Sequence, residues 1–186
     1  MYKKNEFKKL DSLYNSHIYE GINGIAMRYC HRKLEYFKGK EKYDNILEIG
    51  SGTASHINYI KHQFDKYYIA DTSETAIKHY ENDGRIIPLL YNGIKLPFEN
   101  NFFDRIIILH VLEHIENPES FLFEMMSKLK KEGLLSISLP TDPGLLWRLG
   151  KLFTKYFTIR KTYKISKKEY DYMQATEHIN SIFNLI

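Results

Sequence analysis

Between residues 45 and 139, five short apolar runs alternate with helix-length segments: Asn45–Ile49, Tyr67–Ala70, Ile86–Leu90, Arg105–Leu109 and Leu134–Leu139. Runs of this kind, near five residues long, read as strands buried on both faces, which occur where crossover helices cover a parallel sheet. The pattern predicts βαβ units. The expected fold class is α/β, a Rossmann-like, doubly wound and mostly parallel sheet. Upstream, apolar residues recur at helical spacing (Ile18, Ile22, Ile25, Ala26, Tyr29, then Leu34, Tyr36 and Phe37), with Gly39 as the stop. The expected organisation is a helical extension over 1–40, an α/β core over 41–140 and a basic amphipathic segment over 141–186.

Two helix starts are marked. Asp71-Thr72-Ser73-Glu74 offers cap residues ahead of Ala76 and Ile77, and Asn117-Pro118-Glu119 sets a cap, a proline at the first helical position and an acid in the first turn. The second helix is expected to run to Glu132-Gly133. At 43% hydrophobic and 27% charged, the 186-residue chain is neither disordered nor fibrous. Its single cysteine, Cys30, can form no internal disulfide and rules out a cysteine-built zinc site. The N-terminus lacks an apolar leader core, and no run nears the ~18 apolar residues that span a bilayer. A cytoplasmic location is expected.

The first strand runs into a Gly-x-Gly turn, Glu48-Ile49-Gly50-Ser51-Gly52, with a helix expected after it. Glycines there let the backbone turn sharply and approach a ligand closely. Asp71, at the end of the second strand, is placed to accept from both ribose hydroxyls. This much fits a dinucleotide site or a nucleoside site. Two residues separate them. The third glycine of the dinucleotide pattern is replaced by Ser55, and Glu48 stands just before the turn. A carboxylate facing a pyrophosphate in a poorly solvated crevice is costly, whereas a ligand carrying a sulfonium and an ammonium suits it.

Leu47-Glu48-Ile49-Gly50-Ser51-Gly52, then Asp71, then Leu96-Pro97-Phe98-Glu99-Asn100-Asn101-Phe102-Phe103-Asp104, then Val111-Leu112-Glu113-His114-Ile115 stand in order. Over residues 43–140 this resembles a class I S-adenosylmethionine-dependent methyltransferase of the small-molecule type. The resemblance implies S-adenosyl-L-methionine as cofactor and a small-molecule methyl acceptor as partner. It also implies a cofactor site formed by Glu48, Gly50, Ser51, Gly52, Asp71, Thr72, Asn92, Gly93 and His110. Asn92 stands where the family usually has an aspartate accepting from the adenine amino group; an amide oxygen can accept the same bond.

His110, Glu113 and His114 follow the fourth strand and, if helical, share one side. They are either ordinary cleft residues or a general base or metal site; similar ubiquinone-pathway O-methyltransferases have a glutamate where His110 stands. No metal is assigned, and His114 and His178 are the candidate catalytic residues. From Arg148 to Lys168 there are eight basic side chains and no acidic one. The residues 144–168 read as an insert with a solvated basic face, or as a contact for an anionic membrane surface, with RNA a further option and no DNA partner expected. Beyond Pro140 no pair of buried strands is evident, so the sheet is expected to lack the family's last two strands. The function expected is methyl transfer to a small molecule, for example a glycan- or lipid-pathway intermediate. The alternatives are a cofactor-binding remnant or regulatory subunit, an RNA methyltransferase, or an NAD-dependent oxidoreductase.

Overall fold

A computed structural model describes residues 21–139, apart from 38, 53–55, 79 and 81–83. The reading of 141–186, His178 included, lies outside these residues. The described residues divide into two compact units, 21–109 with 119–138, and 110–118 with Leu139. The first unit is built on five parallel strands: β1 (Lys42–Ile49), β2 (Gln63–Asp71), β3 (Ile86–Leu90), β4 (Phe103–Leu109) and β5 (Leu129–Ser138). Their order is β3-β2-β1-β4-β5, so the chain reverses its direction of travel across the sheet between β1 and β4. In sheets of this type ligands bind outside the carboxyl ends of the strands at that point. The expected α/β class and parallel pairing are observed.

Four of the five expected runs lie within strands, the fifth overruns the end of β5 by Leu139, and several bounds differ. β2 begins four residues before Tyr67. That leaves ten residues between Gly52 and β2, and where a helix is expected the described ones form a 3₁₀ turn, His56–Tyr59. The helix after Asn117 (α3, Pro118–Lys128) stops four residues short of Glu132. Its last carbonyls are taken by the chain entering β4: Asn101 N–H donates to Ser127 O and Phe102 N–H to Lys128 O. Leu129 then pairs directly with Phe103, and the register jumps so that Arg105 faces Leu134. Lys130 lies within the resulting irregularity and donates to Asp104 Oδ1 at 2.9 Å. Burial alone would raise the Asp104 carboxyl, but Lys130 and the N–H groups of Asn45 and Asp44 hold it below its usual value.

Two elements behave as their caps predict. Ser73 caps α2 (Glu74–Ile77) by accepting from Ala76 N–H, and Pro118 opens α3. The extension forms α1 (Gly21–Leu34) and a 3₁₀ turn, Glu35–Phe37; Gly39 follows at φ +70°. Tyr43, Ile46, Tyr67, Ile69 and Ile107 form a buried cluster, with Leu34, Ile57, Ile60 and Leu134 packed against it. Tyr68, which points to the opposite face from Tyr67, makes edge contacts with Phe98, Phe102 and Phe103.

The cluster's face of the sheet also carries a fully buried cation. Arg105, in the middle of β4, donates from Nη1 to Glu35 Oε1 at 2.6 Å and to His62 Nε2 at 2.7 Å. Its Nε reaches Ser136 Oγ, and its Nη2 reaches Leu34 O. Glu35 also accepts from His56 Nε2 and from Lys61 N–H. A guanidinium only donates. His62 Nε2 must therefore be bare, and its proton sits on Nδ1, facing Gln63 O at 3.1 Å.

These constraints set a pH dependence. Burial lowers the His62 value below its ordinary 6.5, and Arg105 adds to that. The stability that neutral His62 contributes is complete above 6.5 and declines as pH falls from there through the lowered folded value. For Glu35, burial is outweighed by His56, Arg105 and Lys61 N–H, which bring its carboxyl down to about 2 from 4.5. Its contribution is full above 4.5 and declines toward 2. Melting temperature should therefore fall on the acid side of 6.5, and His62→Gln, whose amide oxygen still accepts from Arg105, should reduce that slope. An unaltered slope would exclude His62 as its source.

Candidate functional site

Gly50 and Gly52 leave the end of β1 at φ +69° and +56°, a region that costs other residues roughly 1–2 kcal/mol. Gly50 N–H donates to Ala70 O, and Gly52 N–H donates to Asp71 Oδ2 at 2.9 Å. Asp71 Oδ1 accepts from Ser73 N–H at 2.8 Å. The glycine turn and the acid at the end of β2 thus form one hydrogen-bonded assembly. Tyr91 N–H donates to Asp71 O, which ties in the residues after β3, and Gly93 sits against Thr72. Tyr91 itself is buried, which together with Glu124 pushes its phenol up to about 12.

The chain therefore brings Gly50, Gly52, Asp71, Thr72 and Gly93 into one connected region at the carboxyl ends of β1, β2 and β3. Ser51 lies between the two glycines and is partly buried. A carboxylate offers about four acceptor positions. In the contacts above, Asp71 uses one on each oxygen.

Glu48 is 1% exposed, beneath the turn. Its Oε1 accepts from His56 N–H and its Oε2 from the Tyr67 hydroxyl, both at 2.8 Å. The carboxylate joins the two ends of the 50–56 loop instead of being presented openly to a ligand. Asn92 differs from expectation. Its amide oxygen accepts from Ile94 N–H at 2.9 Å and from Lys95 N–H at 3.1 Å, closing a local turn typical of Asn-Gly. Both lone pairs are in use, so the side chain has its NH₂ donor and not its acceptor oxygen to offer a ligand.

In the second unit, the residues after β4 form a 3₁₀ turn, Leu112–His114, and not an α-helix. His110 precedes it at φ +54°. His110 and Glu113 still pair, Nδ1 to Oε1 at 3.3 Å, with Glu113 2% exposed. His114 is exposed. The three are not one helical face, because a left-handed residue and a 3₁₀ turn replace the 3.6-residue repeat.

Glu35, His56, His62 and Arg105 were not singled out in the sequence. Arg105 carried the available signal, since an ionisable residue inside a run read as a doubly buried strand requires a partner. Among the described residues no group of three or more metal-ligating side chains is assembled. No described helix is long and apolar enough to cross a membrane. A cavity of about 380 Å³ opens between α1 and β5, lined by Tyr29, Cys30, Lys33, Leu34 and residues 134–138, and none of the glycine-turn residues line it. Glu48→Ala would leave His56 N–H and the Tyr67 hydroxyl buried without this acceptor. It should cost about 2–5 kcal/mol in urea unfolding; a cost under about 1 kcal/mol would mean that the clasp contributes little.

Residues 47–137 match the family described as methyltransferase domain. The ubiquinone biosynthesis O-methyltransferase of Rickettsia canadensis is 25% identical over 139 residues, 73% of this chain and 59% of the relative. The mitochondrial ubiquinone biosynthesis O-methyltransferase of Schizosaccharomyces pombe is 30% identical over 117 residues, 58% of this chain and 40% of the relative. The chain thus spans less than two thirds of the length of either. An S-adenosylmethionine-dependent methyltransferase from Mesorhizobium loti shares the fold at TM-score 0.52 and 18% identity, over 60% of this chain and 56% of that one. A chain from the Haloferax volcanii complex of a methyltransferase with its Trm112 activator does so at TM-score 0.60 and 15% identity, over 73% and 59%. The match starts near the end of β1 and ends within β5, so it contains both the glycine turn and Asp71. Residues 47–137 of the chain thus match a methyltransferase domain, on a sheet that shares its fold with these methyltransferase structures.

Proposed function

We propose that the chain binds S-adenosyl-L-methionine at the glycine turn and transfers its methyl group to a hydroxyl of a small-molecule acceptor. The observation that carries this reading is the joining of Gly52 to Asp71 through a 2.9 Å hydrogen bond at the carboxyl end of β1. In this reading Gly50, Ser51 and Gly52 border the methionine portion, Asp71 and Thr72 hold the ribose, and Gly93 leaves room beside Thr72 for the base. Asn92 contributes its amide donor. The buried charge of Glu48, next to the turn, favours a cationic ligand over a pyrophosphate. The names of the two relatives support a hydroxyl acceptor.

The bound cofactor supplies a methyl on a sulfonium with a neutral leaving group. What the chain must provide is mainly alignment, which accounts for most of the acceleration in such displacements. A hydroxyl acceptor must also lose its proton. His114 and His178 are the proposed bases. The extension over 1–40, the core over 41–140 and the segment over 141–186 are proposed as scaffold support, cofactor half and acceptor side. A second reading, a cofactor-binding protein without turnover, draws on Asn92, whose oxygen is already committed to its own turn.

Calorimetric titration with S-adenosylmethionine, S-adenosylhomocysteine and NAD tests the assignment. Micromolar affinity for the first two and none for NAD is expected. Asp71→Ala should weaken binding by about 1.5–3 kcal/mol, the range for a charged acceptor. Unchanged affinity would remove Asp71 from the site, and saturable NAD binding would overturn the cofactor assignment. Binding without methylation of any catechol or glycan hydroxyl offered would favour the second reading.

A further inference from the structure

Alignment of a methyl donor needs no buried histidines, yet a set of them lies next to the glycine turn. The His56 ring is held at both nitrogens. Nε2 stands 2.9 Å from Glu35 Oε1, and Nδ1 stands 2.9 Å from His31 Nδ1. Both rings are fully buried. Tyr59 stacks on His31 at 4.5 Å and lies 6.2 Å from His56. The main chain of the same residue closes the 50–56 loop through His56 N–H to Glu48 Oε1. His56 is therefore where the loop is fastened both to β1 and to the segment following α1.

Proton counting shows what the arrangement tolerates. Glu35 only accepts, so His56 Nε2 carries a hydrogen. Between the two Nδ1 atoms there is room for one hydrogen. The pair can be neutral, or it can hold one positive charge on either ring. It cannot hold two, because N–H would then face N–H at 2.9 Å. The charged and titratable groups around it are Glu35 on the 3₁₀ turn after α1, Glu48 on β1, Tyr59 on the pair's own loop, His62 before β2, Tyr67 on β2 and Arg105 on β4. Arg105 donates to the same Glu35 oxygen as His56 does, so it competes for the one carboxylate that could offset a second charge.

We propose that His31 and His56 are positioning residues for the cofactor turn, and that full protonation of the pair releases the turn and weakens cofactor binding. This rests on the reading of Gly50–Gly52 as the S-adenosylmethionine site. Neither ring needs to touch the cofactor. A proton taken up only by the released form lowers affinity by up to about tenfold per pH unit below the imidazole range.

The test is the S-adenosylhomocysteine dissociation constant of the full chain between about pH 8 and pH 5.5, with circular dichroism at each point to restrict it to folded protein. Wild type should lose about tenfold in affinity across that span. His56→Gln keeps the backbone N–H to Glu48 but removes the titrating ring, and His31→Asn removes the second ring. Either should flatten the profile to within about twofold. Parallel profiles in wild type and variants would overturn the proposal and leave the pair a purely structural role, visible only as a change in melting temperature. A flat wild-type profile would overturn it without any variant, which covers the case in which both variants misfold. Failure of wild type to bind at about pH 8 would instead strike the cofactor assignment beneath it.

Discussion

The ion pair between Arg105 and Glu35 is the constraint to which the rest of the first unit conforms. A guanidinium in the middle of a central parallel strand has no water to return to, and left unpaired it would cost several kcal/mol. The sheet cannot supply the counter-charge. It comes from the residue that follows α1, 70 positions away in sequence. The end of α1 and the 3₁₀ turn after it are thus part of the core, because without Glu35 Arg105 loses its carboxylate partner. The dependence continues outward. Glu35 holds His56, His56 N–H holds Glu48, and Glu48 holds Tyr67 of β2. A charge placed in β4 therefore fixes the loop that borders the proposed cofactor site.

What could be read in the sequence was whatever the chain decides locally. Gly50 and Gly52 adopt positive φ because few other residues can, Ser73 caps because its hydroxyl reaches Ala76 N–H, and Pro118 opens a helix for want of an N–H. Ile86–Leu90 coincides with β3 as an apolar run between turn signals, although this edge strand is only partly buried and Leu90 is exposed. The misreadings involve partners far away. β5 starts at Leu129 because the chain entering β4 takes the carbonyls that would have continued α3. Among the described residues a 3₁₀ turn follows the glycine turn, and β2 begins early, paired with Lys42 through Gln63. Asn92 is a local exception, as is the left-handed His110 ahead of its 3₁₀ turn. Asn-Gly is a turn dipeptide, and its oxygen closes that turn before any ligand arrives.

Arg105 and Glu48 share a face of the sheet, yet they do not pair with each other. Ile46 is the register partner of Arg105, and Ile107 that of Glu48, so the two polar residues are staggered and each takes partners both within the sheet and outside it. The consequence differs for the two. Arg105 is neutralised by a carboxylate. Glu48 accepts from a backbone N–H and a phenol, and neither of those hydrogen bonds removes its charge. In the proposed reading, a carboxylate at Glu48 would discriminate by sign even though its oxygens are occupied. Phosphates near the turn would meet Glu48 and Asp71 together, whereas a sulfonium or an ammonium would be drawn to both. Occupancy of the Glu48 oxygens and its influence on ligand choice are therefore compatible: the hydrogen bonds hold the carboxylate in place, and the field it projects selects the charge of what lies above.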